Sequence, residues 1–367
     1  MYKFFVTTFF DANTTIHQVV RLFGVSFDFN VNGSANLKFS IQNNDDQVTD
    51  ENFKPYNLIH LHKEFESGFK KIGIFYIENT VEGKDYTEFQ CQSLFNFFHH
   101  RVCEPVFSTA PGVPENAGAL CRDLLDYTNG QNLTPVTSGI NDCSTNIEVE
   151  YKRRTVLDCW QDIINSTTDE IWVDENLNLN IGELGSDKRD TLIFKWNWAQ
   201  SYASNINEFS IDTFNKDMAT KVYGVSEGLT EKVAGGLLPG FPLLETVQNF
   251  DSAKSDATLQ QYTDRYYDGH KKVIAVPKIN PTNERKFWKD YWVGDTCTVK
   301  IKLPKKDIEV YHRIVSINVI LDDQLMETVT IDTVDVDLAR SNRRKDIIDV
   351  MVSQEKRLYW LSIKDSV

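Results

Sequence analysis

The sequence predicts a mainly β chain with α+β modules. Two small β-barrels are expected, the second split by an insertion, with an α+β domain between them and a C-terminal helix. Three observations carry this. The first is period-two alternation from Tyr291 to Val336: Val299 and Ile301 alternate with Thr298, Lys300 and Lys302, and the runs 313–321 and 326–334 flank an acidic turn at Asp322-Asp323. Alternating β-branched residues around such a turn are the signature of an antiparallel hairpin. The second is that the pattern is present twice. Residues 56–61, 69–77 and 86–91 read as three strands with a turn at Glu82-Gly83-Lys84. When Ile77 is aligned with Ile317, then Ile74, Phe89 and Cys91 fall without a gap on Ile314, Val329 and Ile331. Duplication is the reading adopted, and two unrelated meanders are its alternative. The third is a switch to helical spacing between the two β regions, with Ala117, Leu120, Cys121 and Leu124 on one stripe.

Taken in order, residues 1–100 form the first barrel. Phe27, Phe29 and Val31 alternate with polar residues, Asn32-Gly33 signals a hairpin turn, and Leu37, Phe39 and Ile41 alternate again. Residues 101–194 are the α+β module: a linker rich in proline, a helix over 115–127, a second over 155–166 with Val156, Trp160, Ile163 and Ile164 on one face, and a hairpin over 170–181. The second barrel is expected from 195–225 and 291–338, with 207–212 and 219–224 as its first hairpin. Residues 226–290 are then an inserted α+β module with a helix over 252–267 and a short strand over 272–277. Residues 339–367 close the chain as a helix with a basic start at Arg340, Arg343, Arg344 and Lys345. Basic residues there oppose the helix dipole and call for an acidic partner.

Bulk properties narrow the function. A chain of 367 residues exceeds one small core. A net charge of −14 argues against general nucleic-acid binding by counterion release. The six cysteines lack CxxC spacing, which suits neither a disulfide framework nor a zinc site and fits a reducing cytoplasm. Asp11 cuts short the apolar start, so no targeting segment is expected. No apolar run approaches the ~18 residues of a membrane span, so no membrane insertion is expected.

The arrangement resembles the hub proteins of phage tail tips and baseplates, namely the trimeric hub of contractile tails and the N-terminal hub region of siphophage tail-associated proteins. The resemblance rests on 27–41 with Pro55-Tyr56, on 205–228 around Lys221-Val-Tyr-Gly224, and on Tyr291-Trp-Val-Gly-Asp295 ahead of the last meander. It implies that both barrels are tail-tube-like and that three chains place six of them in a pseudo-sixfold ring. It implies a structural virion protein that joins the sixfold tail tube, or a distal tail protein, to the threefold tip. Tail-tip or fibre protein and tape measure protein would be its other partners. Genomic DNA would pass through the lumen unbound, which an acidic chain favours. The virion tail tip is the implied location, with assembly in the host cytoplasm. Longer family members carry a C-terminal lysin or receptor-binding domain for which this chain has no room, so no enzymatic activity is expected.

Chemistry-bearing patterns are weak. His60 and His62 share one face of a strand, a spacing metals use, with Glu64 and Glu66 near in sequence, but no further ligand has a defined place. His99-His100 is the other histidine pair. The carboxylates Asp45-Asp46, Glu78, Asp174-Glu175, Asp322-Asp323, Asp332, Asp335 and Asp337 fall mostly in predicted turns, which favour Asp for backbone reasons. No nucleophile motif and no phosphate loop is present; Gly235-Gly236 lacks the following Lys-Ser/Thr. Cys159 reads as core beside Trp160. Trp196, Trp198, Trp288, Tyr291 and Trp292 suit either a sugar site or cores and interfaces. No catalytic, cofactor or metal residue is therefore assigned. A β-rich carbohydrate-binding or carbohydrate-hydrolysing protein is the alternative to the hub.

Overall fold

The computed structural model describes residues 1–336, apart from 32, 50, 104–105, 132–133, 198–203, 215–217, 272–273, 283 and 305. The helix expected over 339–367 lies outside the described residues, as do Trp198 and Asp337.

Among the described residues a sheet of 13 strands collects both the first and the last strands, Tyr2–Thr7 and Glu327–Asp335. In its first lobe the order is Thr15–Val19, Tyr2–Thr7, Leu58–Phe65, Gly68–Glu82, Tyr86–Ser93, Asn36–Gln42 and Phe23–Asn30, all neighbours antiparallel. In its second lobe the order is Ile193–Trp196, Thr296–Leu303, Lys306–Leu321, Glu327–Asp335, Ile274–Pro281 and Ile206–Phe214. From Leu58–Phe65 and from Thr296–Leu303 onward the two orders correspond strand for strand. Registers agree as well: Tyr76↔Gln92 and Ile77↔Cys91 recur, at the offset seen in the sequence, as Ser316↔Asp332 and Ile317↔Ile331.

Ile77, Phe89, Cys91, Ile317, Val329 and Ile331 all face one core. Ile74 and Ile314 break the correspondence. Ile74 points away, into a second core with Leu58 and Tyr76. A bulge between Ile314 and Ser316 turns both Ile314 and Val315 inward. In the first lobe the irregularity falls later, between Ile77 and Asn79. One extra residue re-aims its neighbours across a pleated strand.

The lobes are fused through Lys306–Leu321. The first half of that strand pairs with Thr296–Leu303 and the second half with Glu327–Asp335. Across the side that Thr296–Leu303 vacates, 316–320 pair antiparallel with 26–30, Ile317 opposite Phe29 and Val319 opposite Phe27. The apolar faces of both lobes therefore merge into one core.

The second lobe is split, but elsewhere than the sequence suggested. The partner of Ile206–Phe214 is Ile274–Pro281, not 219–224. Lys221–Val225 belongs to a separate three-stranded sheet with Lys232–Gly235 and Glu245–Asn249. The helix Asp256–His270, N-capped by Ser255, packs on that sheet. The insertion thus leaves after Phe214 and returns at Ile274, and the strand expected inside it over 272–277 belongs to the main sheet. Both candidate segments alternate with period two, and periodicity does not say which strand takes which partner.

The α+β module stacks helices Ala117–Gln131 and Val156–Asn165 against the strands Thr137–Asn141, Asn178–Gly182 and Glu170–Val173. Thr155 caps the second helix by accepting the Asp158 N–H. The Trp160 indole is fully buried and donates to the Cys121 carbonyl at 2.9 Å. Because this core includes Leu58, Ile74 and Tyr76, the module is docked on the back of the first lobe.

Ile317 and Ile320 give a paired test. Ile317 is fully buried and Ile320, on the opposite face of the same strand, is 61% exposed. We predict that Ile317→Asp costs about 3–5 kcal/mol, the penalty of an unpaired buried charge, and abolishes cooperative unfolding. Ile320→Asp is predicted to stay within about 0.5 kcal/mol of the parent. Urea midpoints of the two variants decide this, and equal shifts would sink the assigned faces.

Candidate assembly surface

The chemistry suggested by the sequence does not converge. His60 is buried and its Nε2 lies 2.9 Å from Thr7 Oγ1. Burial, with Lys71 and His62 nearby, pushes its pKa down to about 4. His62 lies edge-on to Phe5 and is shifted the same way by burial, Lys71 and Lys3. Both histidines line one shallow depression with Lys71, where a cation opposes a metal ion. Glu66 instead reaches Lys289 at 2.8 Å, and Glu64 lies 3.5 Å from the amino terminus. Among the described residues no cluster of three or more His, Cys, Asp or Glu is placed to hold a metal. His99 and His100 sit exposed on a single 3-10 turn.

The carboxylates serve the backbone, ion pairs or, at Glu78, the side-chain amide of Gln92. Asp174 accepts the Asn176 and Asn178 N–H groups at 2.8 and 2.9 Å, and Asp322 accepts those of Gln324 and Met326 at 2.9 and 2.8 Å. Asp45 and Asp46 both meet Arg21 at 3.0 Å. Asp332 is fully buried, 4.0 Å from Lys278. The aromatic rings pack on one another instead of forming an open platform. Trp288 meets Trp292 edge-on at 3.9 Å, Trp292 lies 4.7 Å from Phe29, and Trp196 meets Phe209 at 5.5 Å. Tyr291 is buried against Phe194. Cys159 is buried with its Sγ 3.3 Å from Cys103 Sγ.

What the structure does build is a set of joints. At the first, Arg313 is fully buried and holds Glu170 of the α+β module through both terminal guanidinium nitrogens, Nη1 to Oε1 and Nη2 to Oε2, the latter at 2.9 Å. Its Nε donates to the Gly294 carbonyl at 2.7 Å and its Nη2 to the Leu184 carbonyl. Glu170 also accepts the Leu184 N–H at 2.8 Å. At the second, Lys63 of the first lobe meets Glu327 of the second at 2.7 Å, and the Tyr2 hydroxyl donates to the same carboxylate. Burial, opposed by Glu327, holds the Lys63 pKa down, and burial with the Glu327 charge pushes the Tyr2 hydroxyl up. Beside the fused strands, within the first lobe's own hairpin, Asp28 accepts the Asn36 N–H at 3.1 Å and the Asn36 and Asn30 amides at 2.9 and 3.0 Å.

Neither Arg313 nor Glu170 was singled out by the sequence reading. The available signal was an arginine interrupting an otherwise apolar alternation at 313–321. No helix among the described residues is long and apolar enough to cross a membrane.

This fold is that of phage tail proteins. It is similar to a tail protein from Neisseria meningitidis MC58, at 12% identity and TM-score 0.59 over 91% of this chain and 96% of that one. A 43 kDa tail protein of prophage MuSo2 from Shewanella oneidensis matches at 9% identity and TM-score 0.61, over 93% and 99% of the two chains. Prophage tail protein gp18 from Listeria monocytogenes EGD-e matches at 11% identity and TM-score 0.61, over 97% and 99%. No family model and no curated protein sequence matches the chain.

Two predictions follow from the buried charges. Glu170→Gln strands the Arg313 charge and is expected to cost about 3–5 kcal/mol, while Arg313→Met with Glu170→Met recovers most of that loss. A urea double-mutant cycle showing additive effects would refute the coupling. The second concerns acid. His60 and His312 are buried with their pKa values held near 4 by burial. The unfolded chain, titrating at the ordinary value of about 6.5, binds more protons between those limits. Stability is therefore complete above pH ~6.5 and falls toward pH ~4, by on the order of 3 kcal/mol per histidine. Replacing both by Gln should flatten the urea midpoint across that window, and an unchanged slope would refute it.

Proposed function

We propose that this chain is a structural virion protein, the hub of a phage tail tip or baseplate. Three copies form a ring of six β lobes that joins a sixfold tail tube to a threefold tip and encloses the DNA channel. The observation that carries the proposal is the doubled lobe. Two lobes of the same strand order stand side by side in one sheet within a single chain. A chain built that way supplies two near-equivalent units per copy, so three copies meet a sixfold partner. The shared fold with tail proteins from three bacterial sources supports it.

On this reading the chain works by geometry without catalysis, and its partners are the tail tube or distal tail protein, the tape measure protein and a tip or fibre protein. DNA passes without being bound, which suits a chain of net charge −14. The virion tail is its place, after assembly in the host cytoplasm. The division into a first lobe, an α+β module, a second lobe with an inserted module and a C-terminal helix is proposed as the functional division too.

The expected result for the purified chain is a light-scattering mass of three copies, with ring-shaped particles by negative stain. His60→Ala and His62→Ala should assemble like the parent. A mass of one chain at every concentration would overturn the ring.

A further inference from the structure

The main sheet contains one joint already made and both halves of the same joint left open. In the first lobe the last strand in the order is Phe23–Asn30, and its outer side is taken by 316–320. The second lobe ends on the corresponding strand, Ile206–Phe214. This has Ile274–Pro281 on one side and, among the described residues, no strand on the other.

The matching acceptor is open too. The ladder equivalences place the accepting segment 316–320 on 76–81 of Gly68–Glu82: Ser316 and Ile317 fall on Tyr76 and Ile77, and past the irregularity at Glu78, Asn318, Val319 and Ile320 fall on Asn79, Thr80 and Val81. On one side that strand has Tyr86–Ser93 throughout. On the other, Leu58–Phe65 reaches only Tyr76, and Asn57 accepts the Ile77 N–H at 3.0 Å. From 78 to 82 that side is bare among the described residues, and every side chain there is exposed, Val81 at 46%. Such an edge is a template for another strand. The two open halves cannot serve each other within a copy, because the made joint lies between them in the strand order.

We propose that 79–82 of one copy pairs antiparallel with 207–210 of the next, repeating between copies the joint that fuses the lobes within one. The partner is a second copy of this chain, and the inference rests on the ring reading. Register follows from the internal equivalences. Leu37↔Cys91 matches Ile279↔Ile331, and Phe27↔Leu37 matches Phe209↔Ile279. Asp28 therefore corresponds to Ser210, and the observed Asn318↔Asp28 pair becomes Asn79 opposite Ser210, Glu78 being the extra residue of the irregularity. The contact joins two different surfaces, so it propagates head to tail and closes into a ring when the rotation allows.

The test uses the full chain carrying Asn79→Cys with Ser210→Cys. All six native cysteines are buried, which keeps the background low. Opposed residues in an antiparallel pair lie ~4.5–5.5 Å apart at Cα, within disulfide reach. Mild oxidation should link the double variant into multimers that reduction releases, while either single variant stays one chain on a denaturing gel. Independently, Thr80→Pro removes an edge N–H and blocks strand addition. It should lower the light-scattering mass to one chain with the urea midpoint unchanged. A wild type of several chains with no cross-link, and with Thr80→Pro still assembled, overturns this joint and leaves the ring standing. A wild type of one chain at all concentrations with no cross-link overturns both. If Thr80→Pro fails to fold, the cross-link alone decides.

Discussion

Arg313 is a guanidinium shut away from solvent, and such a group is tolerated only where its surroundings meet it nearly completely. Here a carboxylate and two carbonyls do so, and they come from three separate stretches of chain. The carbonyls are available because the backbone at Gly185 crosses that at Gly294 in close contact. Both residues have φ in the left-handed region, 86° and 92°, and a Cβ on Gly185 would stand 2.2 Å from the Gly294 carbonyl carbon. Only glycine suits both places. Arg313 also occupies the last position of Lys306–Leu321 that pairs with Thr296–Leu303, just before the strand turns its free side to the first lobe at Ser316. One buried pair thus couples the seat of the α+β module to the place where the two lobes fuse.

The bulge at Val315 belongs to the same arrangement. It lets a single strand serve Thr296–Leu303 first and the first lobe afterwards, while keeping Ile314, Val315 and Ile317 all in the core. A bulge bends and twists a strand locally, and a strand shared by two curled lobes has to bend where it passes between them. The Lys63–Glu327 pair, with the Tyr2 hydroxyl on the same carboxylate, adds a second tie between the lobes at a part-buried site. Its carboxylate is met by two donors, which favours holding a charge away from water.

Much of this was legible in the sequence, and the limits are physical. Alternation located the strands because a half-buried strand must alternate, and the offset from Ile77 to Ile317 was visible because both copies bury the same face. The helix at 117–131 was visible from its apolar stripe. Strand partnership was not. Segments 219–224 and 274–281 carry similar local patterns, and only the tertiary structure decides which lies beside Ile206–Phe214. The parallel strand Thr137–Asn141, flanked by side-chain amides from Asn178 and Asn180, was hidden by its polar composition. Arg313 and Glu170 were hidden because their meaning lies in a contact across 143 positions. The histidine pair looked like chemistry because spacing alone does not reveal Lys71 beside it.

On the proposed ring, the position of the insertion bears on how a doubled chain would serve two symmetries. In the first lobe the hairpin between Phe23–Asn30 and Asn36–Gln42 is closed by a short turn, with Gly33 at a φ of 77° tight against Trp172. In the second lobe the same connection carries the whole module from Lys221–Val225 to Asp256–His270. Lengthening a connection costs little in closure entropy, so the sheet keeps its register while the lobes acquire different attachments. On the proposed ring, the sheets repeat at every lobe and can face a sixfold partner. The inserted modules repeat only at every second lobe, and so does the α+β module on the back of the first lobe. The same chain then presents sixfold sheets with threefold attachments, and the change of symmetry arises from one hairpin left short and its duplicate left open.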